Sequence, residues 1–192
     1  MLFANLLSAQ WGLTPCYYTD AAFTSPITAS NYTTGPFHCD WDADGYRLLS
    51  EGEWERCCRA GTTTAFWIVE SNYTTPNCTV ASTPGMFPSL ETAAWFVANS
   101  PSATSPVGTK AANPWGLYDV HGNVWEWCWD WYDTYPAGSA TDYTGASSAS
   151  NRVRRGGSRS HDAKYCRSAA RGSSTPGTRL NHIGFRLART VP

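Results

Sequence analysis

The order of glycine turns, tryptophans and arginines between residues 113 and 186 constrains the fold more than any other feature of this chain. Residues 124–131 read Val-Trp-Glu-Trp-Cys-Trp-Asp-Trp. Because side chains alternate between the two faces of a strand, this pattern predicts a strand with its tryptophans on one face and the valine, glutamate, cysteine and aspartate on the other. Further short strands are predicted at about 152–156, 165–170 and 183–188.

The N-terminal half contains signals for two helices and one further strand. Residues 2–10 are predicted to form a short helix that ends at Gly12. The sequence Ser50-Glu-Gly-Glu53 has the capping-box pattern, in which the serine hydroxyl accepts a hydrogen bond from a free helix N–H and the second glutamate reaches back. That helix is expected to stop at Gly61. Residues 65–69, Ala-Phe-Trp-Ile-Val, are predicted to form a strand.

Long irregular segments separate these elements. Prolines interrupt residues 70–112, which are expected to be mostly irregular, and residues 134–150 form a loop rich in Gly, Ser, Thr and Ala. Many short strands with few helices and long loops predict an α+β fold with small antiparallel sheets. A length of 192 residues is most consistent with one domain.

Net charge and hydropathy give no support for nucleic-acid binding or for a membrane span. The net charge is -1, which gives no electrostatic reason for binding nucleic acid, and the chain lacks an apolar run long enough to span a membrane. Arginines concentrate between residues 152 and 189. We expect them to pair with carboxylates inside the fold rather than to bind phosphate.

The seven cysteines do not form the paired C-x-x-C spacing of a structural zinc site. A bridge between Cys16 and Cys39 is expected only if the compartment is oxidising. Cys57 and Cys58 are adjacent in a predicted helix and are expected to be small buried residues. An odd count leaves at least one free thiol in a monomer.

Motifs distributed over residues 12–186 occur in a specific order. They are Gly12-Leu-Thr-Pro-Cys-Tyr17, Gly45-Tyr-Arg-Leu48, Glu53-Trp-Glu55, Gly116-Leu-Tyr-Asp119, Gly122-Asn-Val-Trp-Glu-Trp127, Arg155-Gly-Gly-Ser158, Ala169-Ala-Arg171 and Gly184-Phe-Arg186. This set resembles the sulfatase-modifying-factor family, which contains formylglycine-generating enzyme. The resemblance implies a C-type-lectin-like fold, with residues 1–192 forming one domain that lacks the family's usual N-terminal part. An export signal would then lie outside this sequence.

The resemblance also raises the question of catalysis. Formylglycine-generating enzymes oxidise a substrate cysteine at a copper site built from two cysteine thiolates between Gly-Gly-Ser and Ala-Ala-Arg. Here the corresponding segment, residues 159–168, contains only Cys166. One thiolate cannot make that copper(I) site, so the sequence argues against copper and assigns no catalytic residue. Cys166 is expected to be a small, half-buried strand residue, and an acid–base pair of His161 and Asp162 stays an open alternative.

Residues 159–182 also resemble the variable region of proteins that diversity-generating retroelements diversify on this same fold. In such proteins mutated adenines convert Asn codons to NNC or NNT, which cannot encode Trp, Met, Glu, Gln or Lys. The segment has no Trp, Met, Glu or Gln and a single lysine, Lys164. The alternative is an ordinary polar loop, since such loops are rich in Ser, Gly and Thr anyway.

The predicted ligand-binding residues follow from this interpretation. Loops on a rigid scaffold are where proteins commonly place recognition. The candidates are Arg159, Ser160, His161, Asp162, Tyr165, Ala170, Gly172, Ser173, Ser174, Gly177, Thr178, Leu180, Asn181 and His182.

The resemblance further implies a structural calcium site in the turn before the tryptophan-rich strand. Asp119 and Glu126 would supply carboxylate oxygens, and Gly122 and Val124 backbone carbonyls, the hard ligands that calcium prefers. The alternative is a turn in which both carboxylates accept hydrogen bonds from Trp N–H and Arg groups.

The sequence therefore predicts a non-enzymatic, monomeric domain that binds a protein or glycan ligand through residues 159–182. A cell-surface or extracellular location is favoured if it is a variable binding protein. The alternatives are an oxidase of the formylglycine-generating type and a structural accessory domain with no ligand of its own.

Overall fold

The computed structural model describes residues 1–33, 35–71, 73, 83–100 and 103–191. They divide into two compact units, Met1–Leu49 with Arg186–Pro192, and Ser50–Phe185. The elements in chain order are α1 (Leu2–Gln10), β1 (Tyr17–Tyr18), β2 (His38–Cys39), β3 (Tyr46–Leu48), α2 (Glu51–Arg59), α3 (Pro88–Ala93), β4 (Trp125–Trp131), β5 (Arg152–Arg155), β6 (Arg171–Ser174), β7 (Ile183–Gly184) and β8 (Leu187–Arg189), with a 3₁₀ turn at Ala163–Tyr165 between β5 and β6.

The first unit is built around α1 and two small antiparallel ladders. Helix α1 has the predicted bounds and is followed by Gly12 in the left-handed region, at φ +67°. Strand β1 pairs with β2, and β3 pairs with β8 from the end of the chain. The buried amide of Asn5 joins helix to strand, because its Nδ2 donates to the Tyr17 carbonyl at 2.8 Å and its Oδ1 accepts from the Tyr17 N–H at 3.1 Å.

Helix α2 opens the second unit with the predicted capping box. Ser50 Oγ accepts from the Glu53 N–H at 3.2 Å, and Glu53 Oε2 accepts from the Ser50 N–H at 2.8 Å. The helix ends at Arg59, because Ala60 turns left-handed at φ +45° immediately before Gly61. The prediction from the capping signal is confirmed at both ends of the helix.

The main sheet of the second unit has the strand order β6-β5-β4-β7. Strand β4 is antiparallel to β5 and parallel to β7, with an irregularity in the β5 register between Trp127 and Trp131. The predicted tryptophan strand is confirmed, and its charged face is the buried one: Glu126, Cys128 and Asp130 are buried, whereas the tryptophans after Trp125 are only half-buried.

Arginines from β5 cover the tryptophan face. The Arg152 guanidinium lies 3.7 Å from the Trp131 ring centroid, and that of Arg154 lies 4.8 Å from the Trp125 centroid. Such stacking combines a cation–π attraction with burial of the arginine stem. The basic C-terminal part is therefore partly accounted for by packing within the protein.

Three predicted details are wrong, each because the backbone bonds elsewhere. Residues 65–69 form no strand, and residues 65–68 form bends instead, since the Trp67 N–H donates to the His121 ring at 3.1 Å. Residues 165–170 form turns, since the Cys166 N–H donates to Ala163 O at 2.9 Å, and the strand begins only at Arg171. The predicted strand at 183–188 is two strands, since β7 pairs with β4 and β8 pairs with β3. The described residues of 70–112 are mostly irregular as predicted, with the one short helix α3 beginning at Pro88, because the first turn of a helix needs no N–H from proline.

The cysteines in the described part of the chain form no disulfide, and most are buried. Cys16 and Cys39 form no bridge in this structure, so the conditional disulfide prediction finds no support. Burial raises the pKa of Cys16 to about 11, which disfavours the thiolate. Cys78 lies outside the described residues.

Across the described ranges, the structure contains no helix that is long and apolar enough to cross a membrane.

Candidate functional site

Trp125 organises the surface formed by the candidate segment. Its indole is only 2 % exposed and meets the His161 ring edge-on, with ring centroids 5.5 Å apart. The His161 ring also contacts Tyr165 at 5.3 Å and His182 at 5.8 Å. Three predicted residues that are 21 positions apart at most in sequence therefore form one aromatic cluster on a buried base. We call His161, Tyr165, His182 and Trp125 the Trp125 cluster.

The histidines of the Trp125 cluster are held by local hydrogen bonds. His161 Nδ1 lies 2.6 Å from the hydroxyl of the buried Ser158, and His182 Nδ1 lies 3.3 Å from Asn181 Oδ1. Burial first, then the neighbouring His182 and Arg154, lower the pKa of His161. Burial and two nearby arginines lower that of His182 in the same way. The cluster therefore presents neutral imidazoles at pH 7.

Strand β6 borders the same cluster. A Cβ added at Gly172 would lie 3.0 Å from Arg154 Nε and 3.2 Å from the Trp125 ring, so glycine allows close packing here. Ser173 and Ser174 follow on this strand and are half-buried. The glycine thus has a packing role in addition to any role in recognition.

The remaining candidates differ in how accessible they are. Ser160, Gly177 and Asn181 are exposed, as is Leu180, while Arg159, Asp162 and Thr178 are half-buried. Thr178 bonds to the Thr175 hydroxyl at 2.9 Å. Ala170 is buried and its carbonyl accepts a hydrogen bond from Arg155, so the structure places this candidate inside the protein.

Gly157 and Cys166 fix residues 159–182 to the core of the second unit. Gly157 has φ +72°, and a Cβ there would lie 2.7 Å from Cys166 Sγ. Cys166 is fully buried in a core cluster with aromatic residues such as Phe66, rather than half-buried in a strand as predicted. Burial raises its pKa far above the ordinary value for a thiol. A thiol in such surroundings is an inert packing residue.

A buried ion-pair network fixes the other side of the segment. Arg171 donates from Nε to Glu51 Oε1 at 2.6 Å and from Nη2 to Oε2 at 2.7 Å. The fully buried Arg155 contacts Glu51 at 3.5 Å and also pairs with Glu55. The predicted pairing of arginines with carboxylates is confirmed for these two arginines.

His121 is a buried structural residue that the sequence did not single out. Its Nδ1 lies 2.7 Å from the Cys166 carbonyl, and its Nε2 accepts from the Trp67 N–H, which fixes a neutral tautomer. Burial lowers its pKa to about 4. Cys58 Sγ lies 3.6 Å from this ring and from Ser168 Oγ. Because backbone groups occupy both ring nitrogens, His121 is not arranged as a catalytic base.

The proposed calcium turn holds both of its carboxylates by hydrogen bonds. Asp119 Oδ2 accepts from the Gly108 N–H at 2.7 Å, and Glu126 Oε2 accepts from the Trp54 indole at 2.7 Å. The Gly122 N–H donates to Gly156 at 2.7 Å. Among the described residues, no group of three or more His, Cys, Asp or Glu could hold a metal. The oxygen donors of Asp119, Gly122, Val124 and Glu126 still match calcium chemistry, so this site stays a prediction.

Two residues that lie beneath the candidate surface were absent from the predicted set. Trp125 and Arg154 form the base of the cluster, although both lie outside residues 159–182. The alternation over 124–131 identified the tryptophan face, and the strand prediction at 152–156 placed arginines nearby. The missing information was the pairing of β4 with β5, which the structure gives as Trp127 opposite Arg154.

Comparison with known proteins supplies the family. The family described as "Sulfatase-modifying factor enzyme 1-like domain" matches residues 1–191. Formylglycine-generating enzyme of Thermomonospora curvata is 34 % identical over 175 residues, covering 85 % of this chain and 55 % of that protein. The enzyme of Mus musculus is 32 % identical over 168 residues, covering 85 % of this chain and 44 % of that protein. The chain thus spans about half the length of these curated relatives.

Solved structures of similar proteins identify the fold. Treponema denticola variable protein 1 superposes with a TM-score of 0.80 at 34 % identity, covering 98 % of this chain and 66 % of that one. CarF gives a TM-score of 0.69 at 26 % identity, covering 100 % and 64 %. The predicted α+β fold of the formylglycine-generating-enzyme type is confirmed. The chain belongs to the family of sulfatase-modifying factor enzyme 1-like domains.

Proposed function

We propose that this chain is a non-enzymatic binding domain whose surface around the Trp125 cluster recognises a protein or glycan ligand. The observation that carries the proposal is the convergence of His161, Tyr165 and His182 on Trp125. Aromatic side chains supply large contact areas at low entropic cost, and a rigid base limits the ordering needed on binding.

The resemblance to variable proteins supports placing recognition in residues 159–182. The solved protein that covers 98 % of this chain is named a variable protein. In our proposal the segment varies between Gly157 and Gly184, while Cys166 and Arg171 hold it to the core. This division fits their burial and ion pairing. Cell-surface display is the setting that such a role favours.

The second candidate is an oxidase of the formylglycine-generating type, which identity to the enzymes of that name favours. That chemistry requires accessible thiolates, because the thiolate is the form that binds copper(I). Cys166 is the single cysteine of residues 159–168 and is 0 % exposed. Aldehyde formation on a cysteine-containing sulfatase peptide, with copper supplied, would establish the oxidase and overturn our proposal.

Binding arrays can test the proposal directly. The wild-type chain would be applied to glycan and surface-protein arrays beside a Tyr165→Ala/Leu180→Ala/His182→Ala variant. A Val69→Ser/Val107→Ser variant is the matched control, since both valines are exposed and lie outside the segment. We expect loss of the hit in the first variant only. Equal binding by both variants would place recognition elsewhere, and no hit for the wild type would favour a structural accessory domain.

A further inference from the structure

The second unit contains a pocket that the proposed recognition surface does not use. Its volume is about 790 Å³, enough for a small organic molecule or a side chain with its flanking backbone. It is lined by Ser50, Glu51, Gly52, Glu53, Glu55, Arg56, Arg59, Asp130, Tyr135, Ala140, Asp142, Tyr143 and Ala169. The candidate recognition residues, all of which are described, are not among these.

Most charges that line the pocket are already compensated. Glu51 accepts the bidentate Arg171 pair and the Tyr135 hydroxyl at 3.0 Å. Glu55 pairs with Arg59 at 2.7 Å. Glu53 closes the capping box. These carboxylates therefore have structural partners within the protein.

Asp130 differs from these carboxylates. Its side chain is 1 % exposed at the end of β4, and its Oδ2 accepts the Glu51 N–H at 2.7 Å. Its Oδ1 has no hydrogen-bond partner. Burial, followed by the charge of Glu51, raises the pKa of Asp130 to about 6 despite the hydrogen bond to Oδ2. A buried carboxylate with an unused oxygen is costly, and each such group in a native structure calls for an explanation, of which a bound ligand is one.

The charge of Asp130 determines which ligand charge the pocket favours. Asp130 and Asp142 are the lining carboxylates that remain after the pairs described above, and of the two lining arginines Arg59 is paired with Glu55. The other, Arg56, is exposed. Asp142 is also exposed, with φ +48°. An anion would be repelled by the buried Asp130 carboxylate, and a neutral hydroxyl would leave the charge of Asp130 uncompensated. A cation with N–H donors removes both costs.

We propose that this pocket is a second binding site, which takes a protonated primary amine on an unbranched aliphatic chain, with the ammonium directed to Asp130 and the chain between Tyr135 and Tyr143. A free diamine and a lysine side chain share this chemistry. The pocket is built mainly from α2, the end of β4 and the 135–143 loop, and the one residue of 159–182 that lines it, Ala169, is not a candidate recognition residue.

Calorimetric titration of the full chain can test this site with two probes. The first probe is cadaverine, with 1,5-pentanediol as its neutral analogue. The second is acetyl-Ala-Lys-Ala-amide, with norleucine in place of lysine as its analogue. We expect at least one amine to bind and its neutral analogue to fail. Binding of cadaverine alone would identify free amines as the ligand, and binding of the peptide alone would identify a lysine side chain. Equal binding of amine and analogue, or no binding by either amine, overturns the proposal.

Variants separate the site from general effects on folding. Asp130→Asn is expected to lower amine affinity by about tenfold, the scale of one hydrogen bond to a charged group. Asp142→Asn, at an exposed position that cannot disturb the core, is expected to lower it by about twofold. Asp133→Asn is the control, because this aspartate lies three residues from Asp130 and outside the pocket lining. Wild-type affinity should also fall below about pH 6, where Asp130 gains a proton. Unchanged affinity in both pocket variants would contradict the assignment.

Discussion

Glu51, the first residue of α2, receives both donor groups of the Arg171 guanidinium, with Nε 2.6 Å from Oε1 and Nη2 2.7 Å from Oε2. The bond joins the start of a helix to the strand that borders the candidate recognition surface. Planar bidentate pairs of this kind are among the strong hydrogen-bonded ion pairs in proteins. We infer that the pair holds the displayed segment in register with the core.

Replacing Arg171 with alanine tests this role. The substitution leaves Glu51, which is 5 % exposed, beside only one remaining arginine at 3.5 Å. We expect a loss of about 3 kcal/mol in the free energy of unfolding, the usual scale for breaking a buried ion pair. Arg179→Ala is the control, because this side chain is exposed, and it should change stability by less than about 0.5 kcal/mol. Urea denaturation measures both, and equal effects would refute the anchoring role.

Gly157 is predicted to be intolerant of any side chain. Its φ of +72° and the 2.7 Å approach of Cys166 Sγ mean that an added methyl strains the backbone and clashes with the core. Gly157→Ala should cost more than about 2 kcal/mol. Gly177→Ala is the matched control, since no atom lies within 4 Å of its Cβ position. If thermal unfolding shows the same small change for both variants, the glycine is not an anchor.

Asp130 gives stability a specific dependence on pH. Its folded-state pKa of about 6 lies above the ordinary value of 3.8 for an aspartate, so the folded protein binds the proton more tightly than the unfolded chain. The contribution of Asp130 to the free energy of unfolding is fully present below about pH 4 and is lost as pH rises to about 6. Relative to Asp130→Asn, the wild type should lose about 3 kcal/mol across that interval. Denaturant titrations at several pH values measure the difference, and a pH-independent difference would contradict the raised pKa.

Calcium binding at the turn before β4 can be tested without disturbing the hydrogen bonds. At a hundredfold excess over Kd, bound calcium would stabilise the fold by about 2.7 kcal/mol. Asp119→Asn keeps an acceptor for the Gly108 N–H but removes the charge, so it should abolish the rise in Tm caused by calcium. Equal Tm values for the wild type in calcium and in EDTA would leave hydrogen bonding as the complete account of Asp119 and Glu126.

Local sequence signals predicted the elements whose determinants lie within a few residues. The capping box at Ser50 and the alternation ending at Trp131 are of this kind, and both elements formed. The sequence could not show that Glu126 and Asp130 lie on the buried face, because their partners Trp54 and Glu51 are more than seventy residues away. The pattern alone placed the tryptophans together without saying which face points inward.

The candidate site shows the same limit. The residue types that mutated Asn codons can encode predicted His161, Tyr165 and His182 as ligand-binding residues, and the structure groups these three side chains. It could not predict that Ala170 is buried under the Arg155 hydrogen bond or that Trp125 forms the base of the cluster. Those relations depend on which strands pair, and strand pairing is fixed by contacts distant in sequence.

The central claim, that residues 159–182 are a diversified recognition segment, is tested most directly by sequencing the DNA that encodes it together with the surrounding genome. Our account predicts a nearby template copy that differs from the coding copy only at adenines of the template, with the differences falling in codons such as those of His161, Tyr165 and His182. A genome without such a copy, or differences spread evenly over all four bases, would contradict the claim.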